Sequence, residues 1–157
     1  MLANLQNFFT FEMIYLFANF GVMPFWLILI FIPNSRTNQI LVNSIIAPAL
    51  LCIAYTYAAY QLFLIEDPIL NNFKLYIGLD NLYVLFAEES VLLIFWLHFL
   101  TLSLFLGSWI SRDGVKYNIP KIIVGFTLII TYFSGPLGLI LYWVIRLFFS
   151  RKLGFHD

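Results

Sequence analysis

The stretch Ser90–Ser111, SVLLIFWLHFLTLSLFLGSWIS, holds no charged residue and decides how the chain is read. Glu89 precedes it and Arg112-Asp113 follows it. It is long enough to cross a bilayer, since about 20 apolar residues in a helix span about 30 Å of hydrocarbon. One ionisable side chain, His98, falls near its middle. At that depth an imidazole is costly, and it needs either a hydrogen-bonding partner or a chemical task.

The rest of the chain has the same character. It is 62% hydrophobic and 10% charged, with a mean hydropathy of +0.93. Soluble domains carry about 25% charged residues. Too little polar surface is present to cover a water-soluble globule. The formal net charge is zero, so no basic face points to a nucleic-acid partner. The single cysteine, Cys52, cannot form an intrachain disulfide, and its place in an apolar segment predicts a small buried side chain. The N-terminal residues carry no Lys or Arg before the first apolar run and are not rich in Arg and Ser, which predicts a retained membrane helix.

Apolar length predicts an all-α integral membrane bundle of four transmembrane helices, one domain over 1–157. The spans run roughly 11–32, with Glu12 and Pro24; 39–65, with Pro48; 89–111; and 120–149, with Gly135-Pro136 in its middle. Short polar turns, 33–38 and 111–118, join the first pair and the last pair as antiparallel neighbours. The connection from Glu66 to Glu88 mixes Asp67, Lys74 and Asp80 with Phe73, Tyr76, Tyr83 and Phe86. That mixture predicts an interfacial segment between helices two and three, aromatic side down. Four spans put Lys74, Arg146, Arg151 and Lys152 on one side, and Arg36, Arg112, Lys116 and Lys121 on the other. The positive-inside rule then gives no orientation.

Each proline within a span removes a backbone hydrogen bond; Pro136 would free the carbonyl of Tyr132 and kink the fourth span. Thr127, Thr131, Ser134 and Gly138 recur on one face of that span. Small side chains so spaced predict close packing of a neighbouring helix.

At 100° per residue, His98, Phe105, Trp109 and Arg112 share one side of the third span, with Thr101 further round. Arg112-Asp113-Gly114 would begin the turn, with the glycine at the helix C-terminus. Glu88 and Glu89 favour the helix N-terminus. A neutral imidazole at His98 would accept a proton at one ring nitrogen and donate from the other. Its alternative is a packed histidine bonded to a carbonyl or a threonine. No cluster of His, Cys and carboxylates offers the three ligands a metal needs, and no cofactor is expected.

The run Trp96-Leu97-His98-Phe99-Leu100, then Leu104-Phe105-Leu106-Gly107-Ser108-Trp109-Ile110 and Arg112-Asp113, resembles the abscisic-acid-deficient-four-like family. Gly135-Pro136-Leu137-Gly138-Leu139 and Tyr142 continue the resemblance. So do Ala18-Asn19, Met23-Pro24-Phe25-Trp26, Ile32-Pro33-Asn34 and Tyr55-Thr56-Tyr57 upstream. Two positions depart from the family pattern: Ser103 stands where an Asp is usual, and Ser108 where many relatives carry Arg. The resemblance implies a neoxanthin-synthase-related membrane protein acting on a carotenoid. The implied reaction opens an epoxide to an allene by acid–base chemistry, with His98, Arg112 and Asp113 as the catalytic candidates. Trp96, Thr101, Trp109, Tyr132 and Tyr142 are the candidates for pigment contact. The alternative is a non-catalytic carotenoid-binding or accessory subunit. The expected partners are the lipid bilayer and a carotenoid, with a homo-oligomer left open. The expected location is a bacterial inner membrane, or a plastid membrane in a photosynthetic eukaryote. An ion path is disfavoured by the few intramembrane polar groups, unless several copies assemble.

Overall fold

The computed structural model describes residues 10–44, 46–64 and 78–150. All regular structure among them is helical: α1 (Phe11–Phe31), α2 (Arg36–Leu41), α3 (Ile46–Leu64), α4 (Leu79–Phe86), α5 (Glu89–Lys116), α6 (Lys121–Phe133) and α7 (Gly135–Ser150). Three segments are long and apolar enough to cross a membrane: Phe11–Phe31, Arg36–Leu62 and Glu89–Lys116. Large apolar side chains such as Phe20, Leu27, Ile53, Phe126 and Phe148 are exposed, as expected of a surface solvated by lipid. The protein is a membrane protein.

By internal contacts the chain divides into two compact units. The first comprises the described parts of Met1–Phe20 and Leu50–Leu100, the second those of Gly21–Ala49 and Thr101–Asp157. The first is built on Ile14 and Ala18 of α1, Leu51, Ala58 and Leu62 of α3, and Leu93, Leu97 and Leu100 of α5, all buried. The second is built on Val22, Trp26 and Leu29 of α1, Val42 and Ala47, Leu104 and Ile110 of α5, and Val124, Leu128 and Tyr142.

Several element ends differ from the sequence reading. Apolar length placed the end of the third span near Ser111, but α5 runs 28 residues to Lys116. Gly114 lies inside it, where a side chain on Val124 of α6 comes within 2.8 Å of where a Cβ would stand. The cap falls instead at Asn118, which takes φ 53°. Ile119 donates its N–H to Gly114 O (2.9 Å) and Asn118 to Val115 O (3.2 Å). These are the paired bonds of a Schellman cap, in which Asn tolerates the left-handed conformation, and Pro120 then bars continuation. The second span is not one helix from Gln39. Ser35 caps the six-residue α2, its hydroxyl accepting from Asn38 N–H, and a turn at 42–44 precedes α3. Pro48 therefore lies in the first turn of α3, where its missing N–H costs nothing. Cys52 is exposed on α3 rather than buried.

The largest difference concerns the fourth span. The helix breaks at Ser134 (φ −148°, ψ 71°) into α6, 13 residues, and α7, 16 residues. The chain then folds back. Val124 of α6 packs at Gly114 of α5, Gly135 at Ser103, and a Cβ on Gly138 would overlap Thr131. Arg146, late in α7, reaches Asp113. A straight helix would have put Arg146 roughly 37 Å from Lys121. The segment is a helical hairpin whose tip reaches the level of Ser103, within the uncharged run of α5. The stripe Thr127, Thr131, Ser134 and Gly138 lies along its seam: Thr127, Thr131 and Gly138 are buried, and Ser134 makes the turn. The two threonines bond back to Val124 O and Thr127 O, both at 2.7 Å, so neither of their hydroxyls is stranded.

Of the connection expected to lie on the membrane surface, 66–77 fall outside the described residues. The described part, 78–88, contains α4, which buries none of its eight residues; Leu79, Tyr83 and Val84 are well exposed.

Candidate functional site

In the first unit, His98 sits one residue beyond Leu97, which faces inward and is wholly buried. The 100° step turns His98 outward, and it is exposed. Two rings frame it: Tyr55 of α3 at 6.1 Å and Phe95, one turn back on α5, at 6.3 Å between centroids. Phe95 in turn meets the edge of Phe86 of α4 at 4.7 Å. Among the described residues the imidazole makes ring contacts, and no bond to a carbonyl or threonine of the packed alternative.

Trp96, a candidate for pigment contact, is half-buried and anchored. Its indole donates to Asn19 Oδ1 (3.1 Å), and Asn19 Nδ2 donates to Tyr15 O (2.8 Å). Phe99 and Tyr15 flank the same indole at 5.5 and 6.2 Å. Asn19 thus gives Trp96 a polar partner inside an apolar segment, a function that sequence pattern did not single out.

In the second unit, Asp113 is buried while Arg112, 100° away on α5, is exposed. Asp113 Oδ2 accepts from Arg146 Nε (2.7 Å) and from the Tyr142 hydroxyl (2.8 Å). Arg146 Nη2 donates to the Tyr117 hydroxyl (3.2 Å), and its guanidinium lies 4.8 Å from the centre of that ring. Trp109 packs edge-on against Tyr142 at 5.6 Å. Arg146 and Tyr142 have no exposed surface and Asp113 keeps 7%. Three predicted residues, Trp109, Asp113 and Tyr142, are thereby brought together around one that was missed. Arg146 was read as a charge on the far side because a straight fourth span would carry it there. The excess length of that span was the available signal: roughly 45 Å of helix where about 30 Å suffices.

Tyr132 lies elsewhere in this unit, edge-on to Trp26 at 5.3 Å. Thr101 is half-buried on α5. Arg112 opens onto a partly enclosed cavity of about 150 Å³, lined also by Val42, Asn43, Ser44, Pro48, Phe105 and Ser108. The Ser108 hydroxyl donates to Asn43 Oδ1 at 3.0 Å. Arg112 has no ion pair among the described residues, and no three His, Cys, Asp or Glu side chains gather there.

A family model described as ABA DEFICIENT 4-like matches residues 13–142, a stretch that includes His98, Arg112, Asp113 and Tyr142. No curated protein and no solved structure matches the chain.

Proposed function

The chain belongs to the ABA DEFICIENT 4-like family, and from that premise we propose that it takes a xanthophyll from the bilayer and isomerises it at His98. The observation that carries this reading is an exposed imidazole framed by Tyr55 and Phe95, with ring contacts alone among the described residues. A polar ring facing hydrocarbon without a hydrogen bond is costly. A membrane-dissolved guest bearing a hydroxyl or epoxide oxygen removes that cost, and flat aromatic walls suit a polyene and its end ring.

The chemistry needs a base and an acid. His98 accepts the proton leaving the carbon beside the ring. The electrons of that C–H bond become the new double bond of the allene, and the epoxide C–O bond breaks. The Tyr55 phenol, next to His98, donates to the departing oxygen, and His98 returns its proton through Tyr55. Atoms balance, and no redox partner is required. Asp113 holds Arg146 and Tyr142 in this reading rather than touching the pigment, and Arg112 serves a cavity of its own. A carotenoid-holding membrane, bacterial or plastid, is the expected setting.

Ser103, where an Asp is usual in the family, favours a second reading: binding without turnover. Expression in a carotenoid-producing host separates the two. Wild type should yield a new allenic pigment, and His98→Gln should abolish it. Pigment that co-purifies unchanged with both proteins would support the binding reading and sink the catalytic one.

A further inference from the structure

The cavity beside Arg112 has chemistry of its own, independent of the carotenoid reading. We propose that it seats the phosphate of an anionic membrane lipid. Arg112 stands directly after the uncharged run of α5, where a headgroup would meet the helix. Its side chain is exposed and unpaired among the described residues, because the adjacent carboxylate, Asp113, is committed to Arg146. Ser108 is almost fully buried, and its hydroxyl fixes Asn43 through Oδ1. Among the described residues the Asn43 amide nitrogen keeps its two donors, and Asn43 lines the same cavity as Arg112. Phosphate oxygens accept from such a set, with the planar fork of Arg supplying paired bonds.

Two further features select a lipid over a soluble anion. Phe105, Val42 and Pro48 give the same cavity apolar walls, suited to a glycerol backbone and the first methylenes of an acyl chain. The surrounding unit is also strongly cationic. Among its described residues Asp113 is the sole carboxylate, set against Arg36, Arg112, Lys116, Lys121 and Arg146. Such an excess at a membrane boundary attracts anionic headgroups.

The test titrates the purified full chain in detergent with phosphatidylglycerol, phosphatidylcholine or inorganic phosphate, counting bound lipid by native mass spectrometry. Wild type should prefer phosphatidylglycerol, and Arg112→Gln should lose roughly tenfold or more in affinity, the worth of one charge-assisted contact. Arg112→Lys should retain part of it. Arg36→Gln, which removes the same charge from the same unit, should stay near wild type. Equal losses in Arg36→Gln and Arg112→Gln would reduce the effect to diffuse charge and overturn the proposal. Inorganic phosphate displacing the lipid at matching concentration would overturn the lipid assignment. Arg112 is exposed, so its replacement leaves the core intact.

Discussion

Arg146 has no contact with solvent, so its charge must be met inside the protein. Asp113, Tyr117 and the face of the Tyr117 ring meet it, and Tyr142 shares the carboxylate. Removing one partner of a buried pair strands the other, at about 3–5 kcal/mol. Asp113→Asn should therefore lower stability by that order in thermal unfolding in detergent. Asp113→Asn combined with Arg146→Met should recover most of it, because no charge is then left unpaired. A double variant no more stable than Asp113→Asn alone would contradict this account. His98, Arg112 and Asp113 were all legible as polar residues at or beyond an apolar helix. Helical spacing also placed His98 and Arg112 on one side of the third span. What spacing along α5 did not reveal was the partner that turns Asp113 to structural use, because that partner comes from a distant helix.

At the scale of elements, the decisive event is the break at Ser134. Gly135-Pro136 was legible as a disturbance, but a kink and a reversal share the same local signature. Pro136 sits in the first turn of α7, so its missing N–H explains neither. The reversal is stabilised by contact across the hairpin: Gly138 leaves no room for a side chain against Thr131, whose backbone Cα lies 2.6 Å from where a Cβ would be. Gly138→Ala should cost about 1–3 kcal/mol, the usual range for overpacking, and the upper end is expected because backbone, not a side-chain tip, must yield. At Gly107 the obstacle is the Trp26 ring, 2.7 Å away. An indole edge shifts more readily than backbone, so Gly107→Ala should cost less than Gly138→Ala. Unfolding of the two variants side by side checks the order. The Schellman cap at Asn118 shows the same lesson on a smaller scale. The polar turn was visible, yet Gly114 attracted the cap assignment although packing against Val124 is what it serves.

For the whole molecule, the hairpin redistributes charge. Four straight spans would divide the cations evenly between the two sides. With α7 returning along α6, Arg146 joins Arg36, Arg112, Lys116 and Lys121 as the described cations of one unit, and among the described residues the positive-inside rule then has a direction. That end of the unit should face the cytoplasm in a bacterial membrane. With exposed Cys52 replaced by Ala, single cysteines at Asn118 and Ser150 should be labelled by an impermeant maleimide from the same side. Labelling from opposite sides would restore four spans. The membrane class was legible from composition alone; the hairpin was not, because hydropathy counts apolar length and cannot tell one long crossing from two half-crossings. The functional claim rests on His98, and it is most directly tested by pigment chromatography of purified wild type and His98→Gln in liposomes loaded with an epoxy-xanthophyll. The account predicts an allenic isomer of unchanged mass from wild type and none from His98→Gln, whereas equal product from both would contradict it.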